Sequence, residues 1–342
     1  MKKIIITFFV LGCCMMAKAQ SDVFTATLLH GNDVSVFIGI NALVEAHEAA
    51  QDDDVISLSS GTFSPTTITK SVTIYGAGFE KNTDAGTDVT QINNNLNIGV
   101  ADATLSNVHI EGVKINGVIT LVEGATVEGL VVKRCYLTKG FTHSANTKNT
   151  LIQECIFTGG FTNNETTQAT VAENLSINNC FISGNVNTFG ASSSVVVDHS
   201  IVTGFAGGYL WKNCILPYRA IGAYADWGAF EGNGGTTGAT VINCIVTILY
   251  SDAAKNNNVF TDCYLGVDDM FSDSPGTRNY TYSSVRTYEL KNKEEWLGND
   301  NTEVGIRGGN GWSKAPSIPV IKSLSLGVDG NDLKVTYEAE VR

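Results

Sequence analysis

One pattern recurs along this chain and limits it to very few architectures: an apolar residue, a spacer, a polar residue, cysteine, then two apolar residues. It reads Val132-Lys133-Arg134-Cys135-Tyr136-Leu137, then Ile152-Gln153-Glu154-Cys155-Ile156-Phe157 and Ile177-Asn178-Asn179-Cys180-Phe181-Ile182. It returns at Trp211 to Leu216, Val241 to Val246 and Phe260 to Leu265, so six cysteines share one column. Val197-Asp198-His199-Ser200-Ile201-Val202 fits with serine in the cysteine position, and Leu105-Ser106-Asn107-Val108-His109-Ile110 fits with valine. Successive members stand 27, 20, 25, 20, 14, 30 and 19 residues apart. A period in the low twenties, carried by short β runs separated by Gly and Asn, points to a chain whose coils bury their inner faces only against their neighbours. Variable spacing is then loop length at the corners. The 14-residue step from Ser200 to Cys214 predicts an irregular coil or one false column member, and the 30-residue step to Cys244 predicts a projecting loop.

Composition agrees with an all-β reading. Charged residues make up 16% of the chain, against roughly 25% in an ordinary domain, and Thr, Asn, Val, Ile and Gly replace the usual helix formers. Six cysteines in an exported chain would normally suggest disulfides. Equivalent positions on neighbouring coils lie about 4.8 Å apart, whereas bridged Cβ atoms prefer about 3.8 Å, so the column reads as a buried ladder of free thiols. No CxxC or cysteine–histidine cluster suggests a metal. Asn107, Asn179, Asn213, Asn243 and Asp262, just before the column, are expected at corners, their side chains satisfying turn amides.

Residues 1–19 read as an export leader, with Lys2 and Lys3, an apolar run from Ile4 to Leu11, and the small-x-small site Ala17-Lys18-Ala19. Leu11-Gly12-Cys13 offers a weaker alternative, lipidation at Cys13. No later stretch reaches the roughly 18 apolar residues of a spanning helix. The net charge is −12, and loss of Lys2, Lys3 and Lys18 makes the mature chain more acidic still. Such a chain repels phosphate backbones, so nucleic acid is disfavoured and anionic polysaccharides would need a bridging cation.

Near the start of the mature chain, Asn41 to Gln51 reads as a short helix with Asn41 as N-cap. Asp54-Val55-Ile56-Ser57-Leu58-Ser59-Ser60-Gly61-Thr62-Phe63 and Ser71-Val72-Thr73-Ile74-Tyr75-Gly76-Ala77-Gly78 follow. On these residues the chain resembles the right-handed parallel β-helix, or pectin-lyase-like, proteins exported by bacteria, over roughly 34 to 316. The resemblance implies a helix capping the open end of the solenoid, with the two runs opening its first and second coils. The expected organisation is a leader over 1–19, an N-terminal cap over 20–54, a right-handed parallel β-helix solenoid over 55–316 and a C-terminal β-hairpin over 317–342. That hairpin, Val320 to Leu326 with Leu333 to Val341, is expected to close the far end of the solenoid or to begin a small appended module. The protein is expected to be secreted, periplasmic or on the outer surface of a bacterium.

The resemblance also raises polysaccharide cleavage, by a base near carboxylate-bound Ca2+ or by paired carboxylates on one face. The motifs for this are missing: His109, His143 and His199 lack flanking glycines, and Asp268-Asp269 stands outside the coil column and reads as a solvated loop. His199 reads as a corner residue, and the tracts around Thr166 and Ser192 do not recur at the coil period that ice binding needs. The chemically dense stretch is the glycine-rich segment 217–237, which carries Tyr218, Arg219, Tyr224, Asp226, Trp227 and Glu231, preceded by Tyr209 and by Trp211 at an inward position. Rings beside carboxylates and an arginine suit sugars, because aromatic faces meet pyranose C–H groups while polar neighbours take hydroxyls. The expectation is a monomeric, non-catalytic protein without a cofactor, binding a polysaccharide, a cell-surface glycan or another surface partner. The alternative is a polysaccharide lyase or glycoside hydrolase using Asp226, Glu231 and Arg219, with Ca2+ in the lyase case.

Overall fold

The computed structural model describes residues 24–83, 87–163, 170–187, 192–204, 207–217, 238–247, 258–273, 280–315 and 317, with the backbone of the strands 319–329 and 332–341. The leader lies outside the described residues. The chain is an all-β parallel solenoid of about eight turns. Its coils build three sheets, here A, B and C, of fourteen, ten and five strands. No helix among the described residues is long and apolar enough to cross a membrane.

The repeat sets the register. In sheet A, Ile56, Ile74, Ile110, Val132 and Ile152 pair in sequence, followed by Ile177, Val197, Trp211 and Val241. All nine are fully buried. Trp211 therefore belongs to the core, as the repeat requires, and its Nε1 donates to the Gly207 carbonyl at 2.9 Å. The Val197–Trp211 and Ile201–Ile215 pairs make the 14-residue step a genuine coil, so Ser200 is a true column member. Trp211–Val241 and Ile215–Ile245 likewise place the coils flanking the 30-residue step side by side.

The thiol column holds. Cys135, Cys155, Cys180, Cys214 and Cys244 are buried and unbridged, and Cys263 in the last coil is half-buried and also free. Each thiol lies 3.0–3.3 Å from the carbonyl two residues earlier. Ser200 imitates them, its Oγ donating to the Asp198 carbonyl at 2.9 Å. Burial pushes the Cys135, Cys155 and Cys244 thiols well up, which leaves them as small inert hydrophobes.

One alignment is corrected. Ile110 pairs with Val132, so the column member of that coil is Val113, and Val108 sits beside Leu130 at another corner. The coil has two left-handed corners, and the sequence pattern is similar at both. One is Asn107, Gly129, Asn149 and Asn174; the other is Gly112, Arg134, Glu154, Asn179, His199, Asn213, Asn243 and Asp262, all with φ between 43° and 74°. Asn and Gly tolerate this region, but Arg134, Glu154 and His199 are held there at a cost of about 1 kcal/mol or more each.

The N-terminal end is closed by helix α1 (Ala42–Ala49), whose Ala42, Leu43 and Ala46 are fully buried. Asn41 makes no side-chain capping bond; its Oδ1 accepts from Ser64 instead. The sequence reading missed a hairpin before α1, Thr25–His30 with Asp33–Ile38, which pairs antiparallel with Val55–Leu58 and extends sheet A. The last coil strand is Tyr264–Leu265. Residues 267–273 and 280–315 then run back along the outside of sheet B as a strap. The strands Pro319–Asp329 and Asp332–Val341 form their own two-stranded sheet. That hairpin starts two residues after Ser317, whose N–H donates to Glu111 on an early coil, so it leaves the solenoid there and not at the final coil.

Candidate functional site

The residue after each cysteine points outward from sheet B. Tyr136, Ile156, Phe181, Ile201, Ile215, Ile245 and Tyr264 form this outer column, and it continues backwards through Lys114, Gln91 and Thr62. Two adjacent apolar residues on a strand mean that both faces are covered. From Ile156 onward the cover is the strap: Met270, Phe271, Tyr288, Leu290, Val304 and Ile306 are nearly or fully buried against this column. The Phe181 ring lies 5.1 Å from Tyr288, and Arg286 lies 4.6 Å over the Tyr288 ring. The strap comes so close that a Cβ on Gly305, which has φ +86°, would stand 2.5 Å from Ile215.

Polar corner residues hold the strap. Asn179 donates to the carbonyls of Ile306 and Gly308, both at 2.9 Å, and Asn213 donates to Asn299 and accepts from its N–H. These asparagines therefore reach out to the strap and do not serve turn amides as the sequence suggested. His199 is a buried corner residue between Asp198 at 2.9 Å and Thr302 at 3.0 Å. Burial raises the Asp198 carboxyl, but hydrogen bonds from His199 and Lys212 outweigh this and hold it at about 2. Further back, Arg134 meets Glu154 at 2.8 Å and Glu111 at 3.5 Å, and donates to Ser317. Burial likewise raises Glu111, and hydrogen bonds from His109 and Ser317 bring it down to about 2. Asp268 and Asp269 are half-buried at the base of the strap, bonded to Tyr280 and Lys291, and so do not form a freely solvated loop.

Where the strap ends, the outer face of sheet B is open. Three adjoining depressions of about 570, 600 and 390 Å3 follow one another around residues 77–83 and 88–91. The first lies over Thr62 and Gln91, the second over Lys114 and Tyr136, and the third beside Trp312. Gly76 lets the loop leave the wall, since a Cβ there would meet the Gly112 carbonyl at 2.4 Å. Phe79, 2% exposed, pins it back by packing edge-on against Tyr136 at 6.4 Å. Tyr136 also meets Tyr282 at 5.7 Å and has the Lys114 ammonium 5.7 Å above its ring.

The groove carboxylate Glu80 is already engaged: the Tyr282 hydroxyl donates to one oxygen in a very short bond, and Lys314 meets the other at 3.0 Å. Burial, with the carboxylate beside it, pushes the Tyr282 hydroxyl far up. Neither is poised as a base. His143 is buried between Thr147 and Thr170, and burial lowers it to about 4. The arrangement offers ring edges and faces, hydroxyls and ammonium groups, which is recognition chemistry.

Tyr218, Arg219, Tyr224, Asp226, Trp227 and Glu231 lie outside the described residues. Among the described residues no group of His, Cys, Asp or Glu is placed to hold a metal. The sequence reading did not find the groove, although the polar turn of the outer column at Lys114, Gln91 and Thr62 marks it. Compared with protein-family models, curated proteins and solved structures, the chain matches none of them.

Proposed function

We propose that this chain is an exported, non-catalytic protein of pectin-lyase-like architecture that binds a polysaccharide or cell-surface glycan along the uncovered end of sheet B. One observation carries the reading: the outer column changes from apolar to Tyr136, Lys114, Gln91 and Thr62 where the strap stops, leaving an elongated trough. From Thr62 to Tyr136 it crosses three strand spacings, about 14 Å, which suits a short stretch of oligosaccharide. Tyr136 and Tyr282 supply apolar ring surface, and Lys114, Lys81 and Ser283 supply hydroxyl-binding groups. The leader pattern of residues 1–19 supports an exported, bacterial protein. The segment 217–237 is the second surface of the same reading, through Trp227.

The test is retention on a panel of immobilised polysaccharides, with reducing ends and unsaturated products assayed in parallel. Retention without turnover is expected, lost at least tenfold in Tyr136→Ala and in Lys114→Ala. Retention that Trp227→Ala abolishes and Tyr136→Ala leaves intact moves the site to the 217–237 segment. Steady product formation replaces the binding reading with the lyase or hydrolase one, in which Asp226, Glu231 and Arg219 are the residues to mutate.

A further inference from the structure

We infer that the N-terminal hairpin is a self-association surface through which two copies of this chain join edge to edge. Of the nine large apolar side chains exposed among the described residues, five lie between Leu29 and Ile40, with Val34, Val36 and Ile38 at 62%, 57% and 65%. Among the described residues, strand Asp33–Ile38 is also the terminal strand of sheet A, paired on one side only. His30 and Asp33 close the hairpin across two residues and form a hydrogen-bonded pair. Alternation then turns the N–H and C=O groups of Val34, Val36 and Ile38 toward the free edge. The same three residues present bare backbone and bare apolar side chains, the combination that invites strand addition.

The occupant is a second copy. The chain carries a net charge of −12, yet from Val34 to Ile40 it has no charged residue, so this edge is where acidic copies meet without repulsion. Antiparallel pairing about a two-fold axis at Val36 sets Val34 against Ile38 and Asp33 against Gly39. No charge then faces its own copy, and the contact closes on itself as an isologous dimer. The other end of sheet A, Val259–Thr261, is half as long, so head-to-tail growth onto it makes a shorter ladder.

Sedimentation velocity over a concentration series, with hydrogen exchange at Val34, Val36 and Ile38, decides the matter. The expected result is a reversible dimer whose dissociation constant rises at least tenfold in Val36→Lys, which sets two ammonium groups face to face, and in the triple variant Val34→Thr, Val36→Thr, Ile38→Thr. Both variants are expected to keep the wild-type unfolding transition, and the edge amides exchange slowly only in the dimer. A wild type that stays monomeric throughout, as the sequence alone suggested, overturns the inference. So does a dimer indifferent to both variants, an assembly growing beyond two copies, or a monomer with protected edge amides, which would mean that another part of the chain covers the edge.

Discussion

From Ile156 to Ile245 the outer column of sheet B is apolar and lies under the strap; from Thr62 to Tyr136 it is polar or amphipathic and opens into the trough. The inner column behind both stretches is the same, with Ile92, Ile115 and Leu137 as fully buried as Phe157 and Ile182. The difference teaches that the coils alone set the solenoid, whereas the outer residue of each coil sets whether that coil is wall or binding surface. The strap is a second layer added where the wall is apolar, and the polar corner residues fix its position.

The comparison breaks most visibly through Phe181. Phe181→Ala removes a fully buried ring between sheet and strap and is expected to cost about 3–5 kcal/mol in urea unfolding. Lys114→Ala, at the equivalent position in the open stretch, is expected to change stability by about 0.5 kcal/mol or less, and equal effects would mean that the strap adds no core. Arg134→Met leaves Glu111 and Glu154 buried without their cation and is expected to cost about 3 kcal/mol by the same measurement.

Acid should act first on the carboxylates that anchor the strap and the segment after it. Glu111 and Asp198 are depressed in the folded chain to about 2 from ordinary values of 4.5 and 3.8. Their stabilisation is therefore complete above the ordinary values and is lost as pH falls toward 2. Thermal unfolding between pH 6 and pH 2.5 is expected to show a falling midpoint, with a shallower fall in Glu111→Gln and Asp198→Asn. A midpoint as acid-sensitive in those variants as in the wild type would contradict the anchoring role. A small effect is also expected at Ser200, where Ser200→Cys restores the column residue and should shift stability by about 1 kcal/mol or less, read from the same melts.

Much of this was legible because a solenoid writes its period into one chain. The cysteine column, the inward Trp211 and the capping helix were readable from spacing and polarity alone. The slip at Val108 arose because Asn107 and Gly112 are both left-handed corners followed by an apolar residue, and hydropathy does not tell one corner from the other. The strap was hidden because residues 267–273 and 280–315 pack against several coils at once and carry no period of their own. Its footprint was nevertheless present in the paired apolar residues Ile156-Phe157, Phe181-Ile182 and Ile201-Val202, where an exposed strand face would have carried one polar partner. The trough was illegible for a related reason: Lys114, Tyr136, Phe79 and Tyr282 come together only after coil stacking and the return of the strap.

Hydroxyl-radical footprinting of the folded chain tests the two-surface account most directly. It predicts Phe181, Met270 and Tyr288 as protected as the core residue Phe157, while Tyr136 and Trp312 are oxidised readily and Tyr136 alone of these gains protection when a retained saccharide is added. Oxidation of Met270 and Tyr288 at the rate of Tyr136 would contradict it, because the strap would then not cover the sheet.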